Sequence, residues 1–546
     1  MPETQITFRG VSAGRLAGAV VVTGSRSGSH SGTIESDSDG QGGSFLPAKP
    51  FDGGEVVTVT AVGLNVLGAS NGTFSFTIAM PGPGIHRTPF ADAARVRGDV
   101  NRFPSRLDLA PAAIKVTRRS RTARGGDIFV APQNGPVQDG PMILDSGGGL
   151  VWFDRVSRGE FATDFRVQRY RGRPVLTWWQ GVQGAGVGSG SDVIFNTSYR
   201  EIAAVHAANG LIADLHEFQL TGRSAALITA YHPVFVDASS VHGSKHQLVI
   251  DSVVQEIDIP TGLVLFQWDS LDHVPLGESY SRPPPVKAQI PDDYFHVNSI
   301  QQQSDGNLLI SARDTWAAYM VDGRSGAVLW RLAGKKSTFR VGAGASFAFQ
   351  HDVRMRSSDL VSLFDDGAGP PVVHKQSRGL ELRLDFKHKT ATRVVQYQHT
   401  PSLQADFEGN LQWLPAGERF LGWGQQPFFT EFDARGRTIF DGRFVGSTTT
   451  YRAYRFSWSG TPQTPPAVAA TSGRHATAYA SWNGATNVAV WKVLGGPTPH
   501  RLHFLAAARR RGFETVIPIR SQRYVVALAV DRVGRRLGAS STVRAG

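Results

Sequence analysis

Short runs of alternating apolar and polar residues recur along the whole chain. None approaches the roughly 18 consecutive apolar residues of a membrane-spanning helix. Near the start, Val20-Val21-Val22-Thr23, Val56-Val57-Thr58-Val59-Thr60 and Phe74-Ser75-Phe76-Thr77-Ile78 have the period of half-buried strands, with Ser and Gly between them. Residues 1–84 therefore predict a small β-sandwich. The stretch 85–117 is irregular and carries several prolines and arginines, which predicts a connector. Residues 460–466, containing Pro462-Gln463-Thr464-Pro465-Pro466, predict a linker. Beyond it, strand patterns at Thr477–Trp482, Val488–Val493 and Tyr524–Ala529 predict a second sandwich, fibronectin-III-like, over 467–546.

The middle of the chain repeats. A polar residue, a turn and an apolar strand recur from Asp145, Asn196, Asp258, Asp322, Asp385 and Asp433, about 50 to 65 residues apart. Six copies predict a six-bladed β-propeller over 118–459, with about four strands per blade. A second repeat lies between those turns. It runs from His216, His296, His351 and Asn410, each followed four positions later by an apolar residue: Leu220, Ile300, Met355 and Leu414. Equivalent positions of successive blades circle one axis, so these four are expected to meet at one end of a central channel.

Composition sharpens this picture at a few points. Among 546 residues there are 61 Gly and 30 Pro, which favours a turn-rich all-β chain. There is no cysteine, so disulfides, thiolate catalysis and cysteine-based zinc sites are excluded. Lys and Arg exceed Asp and Glu by 57 to 45, a net charge of +12. The basic residues are scattered, and no nucleic-acid-binding motif accompanies them. The excess therefore reads as a solvated basic surface that also attracts anionic substrates, not as a nucleic-acid interface. Gly334-Lys335-Lys336-Ser337 lacks the upstream glycine and the strand-to-helix setting of a phosphate-binding loop. The opening Met1-Pro2-Glu3-Thr4 is not the start of a signal peptide.

Three histidines and Arg313, which ends the strand after His296, suit a tetrahedral oxyanion. A guanidinium keeps its charge and offers a fork of donors, one neutral imidazole can act as nucleophile, and the others can donate hydrogen bonds or move protons. Three imidazoles also suit zinc or copper, and the residues alone leave both readings open.

Several motifs carry a resemblance. They are Asp293-Tyr294-Phe295-His296-Val297-Asn298-Ser299, Gly306-Asn307-Leu308-Leu309-Ile310-Ser311-Ala312-Arg313, Phe349-Gln350-His351-Asp352, Asn410-Leu411-Gln412 and Gly422-Trp423-Gly424. Ser105-Arg106-Leu107-Asp108-Leu109-Ala110-Pro111 and Leu176-Thr177-Trp178-Trp179-Gln180-Gly181 join them. The ordered set, over about residues 103–459, resembles the PAPS-independent arylsulfotransferases, in the branch shared by actinobacterial, fungal and plant sequences.

The resemblance implies a six-bladed propeller that moves a sulfuryl group from an aryl sulfate to a phenol without a nucleotide donor or other cofactor. His351 resembles the transiently sulfated histidine, while His216, His296, Asn298 and Arg313 resemble the sulfate-binding and acid–base positions. Asn410 joins the candidate substrate-binding set through its register. Trp178 and Trp423 are candidates to line the aryl pocket, with packing as their competing role. The expected partners are small aryl sulfates and phenols, with no nucleic acid, no membrane span and no metal. The resemblance and the appended sandwiches favour an extracellular or cell-surface setting. A non-catalytic propeller that binds anionic glycans or phenolic polymers, and a metal- or quinone-dependent propeller oxidoreductase, are the rival functions.

Overall fold

The computed structural model describes residues 1–85, 94–120, 123, 125–135, 138–184 and 186–546, so residues 86–93 of the expected connector lie outside the described residues. The chain is all-β; its helices are single turns such as Ala13–Leu16 and Ser270–His273.

Each of the six repeat residues sits in the hairpin that joins the last two strands of a four-strand run. The cause is local. An Asp or Asn side chain accepts backbone N–H groups a few residues ahead and so shapes the turn itself. Asp145 accepts from Gly147 and Gly149 at 2.7 and 3.0 Å, and Asn196 from Ser198 and Arg200 at 2.9 and 3.1 Å. Asp322, Asp385 and Asp433 bond their hairpins in the same way. In the remaining copy Asp258 takes the Thr261 hydroxyl at 2.6 Å.

The sheets follow the chain in order. Asp127–Gln133, Met142–Leu144 and Leu150–Phe153 pair as neighbours. Next come the runs that begin at Phe161–Tyr170 and Ala213–Leu220, which are joined into one eight-stranded sheet through the single pair Gly190 and Ala213. Three further sheets begin with Val297–Gln302, His351–Met355 and Asn410–Trp413. Two long-range pairings complete the set. Thr449–Phe456 pairs antiparallel with Asp127–Gln133, and Ile114–Arg119 adds to Thr438–Phe444 as the edge of the last sheet. The expected connector therefore ends before Ile114, inside the stretch read from sequence as irregular.

The first strands of successive sheets pack side by side, and Thr449–Phe456 touches both Asn410–Trp413 and Phe161–Tyr170, so the series returns to its beginning. Side-chain amides stitch these strands where no backbone ladder runs between them. Gln301 donates to the carbonyl of Met355 at 3.2 Å and accepts its N–H at 2.7 Å, and Gln412 does the same to Arg455 at 3.0 and 2.7 Å. Gln168 bridges Phe218 and Leu220 at 2.8 and 2.9 Å.

A charge network fills the centre. Buried Arg452 donates to Asp164 at 2.9 Å, Glu217 at 3.2 Å and the Asn298 carbonyl at 2.8 Å. Arg354 and Arg166 also bond Glu217, both at 2.5 Å. Burial opposes the Glu217 charge, but Arg354, Arg452 and Arg166 together hold its pKa below the ordinary carboxylate range.

Outside this region, Ile6–Arg9, Gly32–Ser36 and Gly42–Pro47 form one sheet, and four strands between Val20 and Thr77 form another, around a shared core of Phe8, Leu16, Phe45 and Val59. The C-terminal residues likewise form two sheets around Trp482, Trp491 and Val525.

Three expected substrate-binding residues are taken up by packing. Trp178 is buried among Trp152, Phe165 and Phe195, and its indole N–H goes to Gln180 at 3.1 Å. Trp423 is buried against Phe364 and His399 and donates to Thr430 at 2.9 Å. Asn410 is fully committed to the backbone: it donates to the Ala453 carbonyl at 2.9 Å and accepts from Ala453 and Gly422 at 2.9 and 3.2 Å. All three are interior residues of the sheets, the packing role that Trp178 and Trp423 had as the alternative to lining an aryl pocket.

Arg452→Met leaves two buried carboxylates short of a partner and is expected to cost about 3–5 kcal/mol. Trp423→Ala opens a core cavity and is expected to cost about 3–5 kcal/mol. Urea unfolding of each variant against the wild type measures both losses.

Candidate active site

The three histidines do come together, each held by a carboxylate on its Nδ1 side. His216 lies within the strand Ala213–Leu220 and its Nδ1 meets Asp214 two residues back. His296 immediately precedes Val297–Gln302 and its Nδ1 meets Asp293 at 2.5 Å. His351 opens His351–Met355, and its Nδ1 lies 2.8 Å from Asp366, which follows the neighbouring strand Leu360–Asp365. The His216 and His296 rings meet edge to face with centroids 4.8 Å apart, and Tyr231 and Tyr451 flank His216 at 5.3 and 5.8 Å. All three histidines are buried, His351 with 1% of its surface exposed.

The tautomer of His351 follows from its neighbours. Nδ1 also faces the Phe349 carbonyl at 3.1 Å, which can only accept, so Nδ1 carries the proton. The Glu408 backbone N–H points at Nε2 from 3.3 Å, so Nε2 presents its lone pair. Burial, then the positive charge of Arg313, then His216 and His296, push the His351 pKa well below its ordinary value. The imidazole is therefore neutral at pH 7. His296 is pushed down to about 3 by burial, with His216 adding to the effect.

Arg313 bridges two sheets. It donates to Asp314 at 2.7 Å and to the Asp406 carbonyl at 3.1 Å, and its guanidinium carbon lies 4.7 Å from the centroid of the Phe349 ring. Its side chain keeps 17% exposure, so a fixed positive charge stands where the buried imidazoles approach solvent. Asn298 is fully buried and donates to the Gln350 carbonyl at 2.7 Å; its Oδ1 has no hydrogen-bond partner.

Backbone strain gathers here too. His296, Phe349, Asp352 and Glu408 all have left-handed φ, between 53° and 74°, without being glycine. Such residues cost about 1–3 kcal/mol each and persist where surrounding structure over-determines them.

Sequence reasoning missed the second layer: Asp214, Asp293, Asp366, Glu408 and Gln133. The Asp residues two and three positions before His216 and His296 were readable signals. Asp366 and Glu408 reach His351 across strands and left no local pattern.

Asp293, His296 and Asp314 each bring a ligand atom to within 4.8 Å of the others, a grouping of a kind that can hold a cation. In it Asp293 is engaged by His296 and Asp314 by Arg313. The arrangement as a whole offers one unprotonated imidazole nitrogen, Nε2 of His351, with two further imidazoles and a fixed guanidinium. Those groups can attack an electrophile that bears anionic oxygens and stabilise the charge on it.

Comparison with known proteins bears on this chemistry. The arylsulfotransferase (ASST) family model matches residues 166–445, just over half of the chain. The search of curated proteins gives no match. Among solved structures, a protein of unknown function from Bacteroides caccae is similar at 13% identity and TM-score 0.37, over 61% of this chain and 99% of that one. A Lactobacillus plantarum protein is similar at 12% and 0.31, over 72% and 100%. A GH43 β-xylosidase/α-arabinofuranosidase from a compost metagenome is similar at 8% and 0.28, over 56% and 98%. Likenesses this distant carry no argument. Among the described residues no helix is long and apolar enough to cross a membrane. By the family match, the chain belongs to the arylsulfotransferase family and is, at that level, a sulfotransferase of aryl sulfates and phenols.

Proposed function

We propose that this chain transfers a sulfuryl group from an aryl sulfate to a phenolic acceptor through a sulfohistidine at His351, without PAPS. The observation that carries the reading is the state of His351: neutral, with Nδ1–H spent on Asp366 and the Phe349 carbonyl, which leaves the nucleophilic lone pair on Nε2, where it accepts the Glu408 backbone N–H at 3.3 Å. In the first half-reaction Nε2 forms a bond to sulfur while the sulfur–oxygen bond to the aryl group breaks, and the aryl oxygen keeps the electron pair. In the second, a phenol oxygen attacks the sulfur and the nitrogen–sulfur bond returns its pair to Nε2. Asp366 orients the ring by accepting its Nδ1–H. Arg313, Asn298, His216 and His296 stabilise the sulfuryl oxygens.

The scaffold in this reading is a six-bladed propeller over 118–459, extended by the strand Ile114–Arg119 and flanked by sandwiches over 1–84 and 467–546. Support comes from the six bonded hairpins and from the series of first strands that returns to its beginning.

The test is release of p-nitrophenol from p-nitrophenyl sulfate. Added phenol is expected to stimulate release in the wild type, and His351→Ala is expected to abolish it. Release that survives this substitution contradicts the nucleophile assignment. The pH dependence has a definite sign. A nucleophilic imidazole must be deprotonated, and its pKa is lowered, so donor cleavage is expected to hold as pH falls through about 6.5, where an ordinary histidine protonates. A loss of rate centred on that pH would mean an unshifted histidine, which a pH profile of kcat/KM for the donor reveals.

A further inference from the structure

The mechanism above leaves one group beside the nucleophile unused. Glu408 presents its backbone N–H to His351 Nε2, and its side chain starts from the same α-carbon, two methylenes short of a carboxyl. Its φ of 74° is left-handed, and the neighbouring chain leaves room for it. A side chain at Gly424 would meet the Phe407 carbonyl oxygen at 2.4 Å and the Glu408 backbone at 2.7 Å, so the glycine of Gly422-Trp423-Gly424 keeps this turn in place.

The carboxyl crosses to another sheet. Gln133 Nε2, at the end of Asp127–Gln133, donates to its Oε1 at 2.8 Å, and Gln183 donates to Gln133 at 3.4 Å. The other oxygen, Oε2, is buried without a hydrogen-bond partner. Burial raises the Glu408 pKa to about 8, against the pull of Gln133, so the carboxyl holds a proton at neutral pH. Asp366 and Tyr451 are the ionisable groups that feel its charge, alongside the His351 ring its N–H touches.

Sulfotransfer needs such a proton. The aryl oxygen leaves with an electron pair, and His296 and His351 are poor sources of a proton: both are neutral, and His351 is the nucleophile. We propose that Glu408 is the acid–base group of the reaction, serving the aryl oxygen on both sides of the sulfohistidine. This rests on sulfotransfer through His351. In the first half-reaction the Glu408 carboxyl gives its proton to the departing aryl oxygen and becomes a carboxylate. In the second it takes the proton of the incoming phenol as that oxygen bonds sulfur, and the starting state returns.

The test varies the leaving group. Glu408→Gln keeps an oxygen for Gln133 but has no acidic proton. Its kcat/KM for phenyl sulfate, a poor leaving group, is expected to fall by about 10²–10⁴-fold. For p-nitrophenyl sulfate, whose phenolate leaves with little help, the expected loss is under about 10-fold. Wild type acting on phenyl sulfate is expected to lose rate above pH about 8, a limb the variant lacks. An equal loss with both donors, or the same limb in the variant, overturns the proposal. The wild-type profile tests it even if the variant misfolds, because a rate for phenyl sulfate that does not decline above pH about 8 also overturns it. A wild type that cleaves neither donor defeats sulfotransfer itself, an outcome distinct from a wild type that cleaves both without needing Glu408.

Discussion

The pairing of Thr449–Phe456 with Asp127–Gln133 is the constraint on which the rest of this structure depends. It joins two segments far apart in the chain, and closing so long a loop is costly in entropy before any contact rewards it. The reward is concentrated at the seam. The paired strand carries Arg452 into the central carboxylates Asp164 and Glu217 and carries Tyr451 to the edge of His216. Its Ala453 receives the Asn410 clip, and its partner strand ends in Gln133, which holds Glu408 against His351. Without this pairing, the sheet that contains Asp127–Gln133 would present an open edge and Thr449–Phe456 would be left without a partner strand.

Burial then decides the chemistry. An imidazole in water is half protonated near pH 6.5 and a carboxyl near pH 4. In this site desolvation moves the two types in opposite directions, with His296 at about 3 and Asp293 at about 7. The outcome is a centre in which His296 and His351 are neutral beside the guanidinium charge of Arg313. That is the electrostatic form a nucleophile for an anionic sulfate ester requires: no charge on the attacking nitrogen, and fixed positive charge for the sulfuryl oxygens.

The parts legible in the sequence were those with a local physical cause. The six Asp and Asn turns could be read because each side chain bonds backbone only a few residues away. The histidine series could be read because each member lies on or beside the first strand of a four-strand run. Asn410 shares with the histidines the count of four residues to the next apolar position, and its side chain acts as that of Asn298 does: Asn298 donates to the Gln350 carbonyl, just before the next run's first strand, and Asn410 to the Ala453 carbonyl. The strands opening at Val297 and His351 carry register shifts and the one opening at Asn410 does not. Trp178 and Trp423 stood in family motifs, but those motifs are packing features of the sheets. Asp366 and Glu408 were invisible because their contacts with His351 cross from one strand or sheet to another.

The account turns on His351 carrying the sulfuryl group, and one measurement addresses that directly. The wild-type protein is mixed with p-nitrophenyl sulfate without acceptor, quenched at alkaline pH and digested, and its peptides are read by mass spectrometry. The account predicts one added SO3 group, on His351, that disappears when phenol is supplied. Turnover of the donor with no sulfuryl group on the protein, or with that group on another residue, would contradict it.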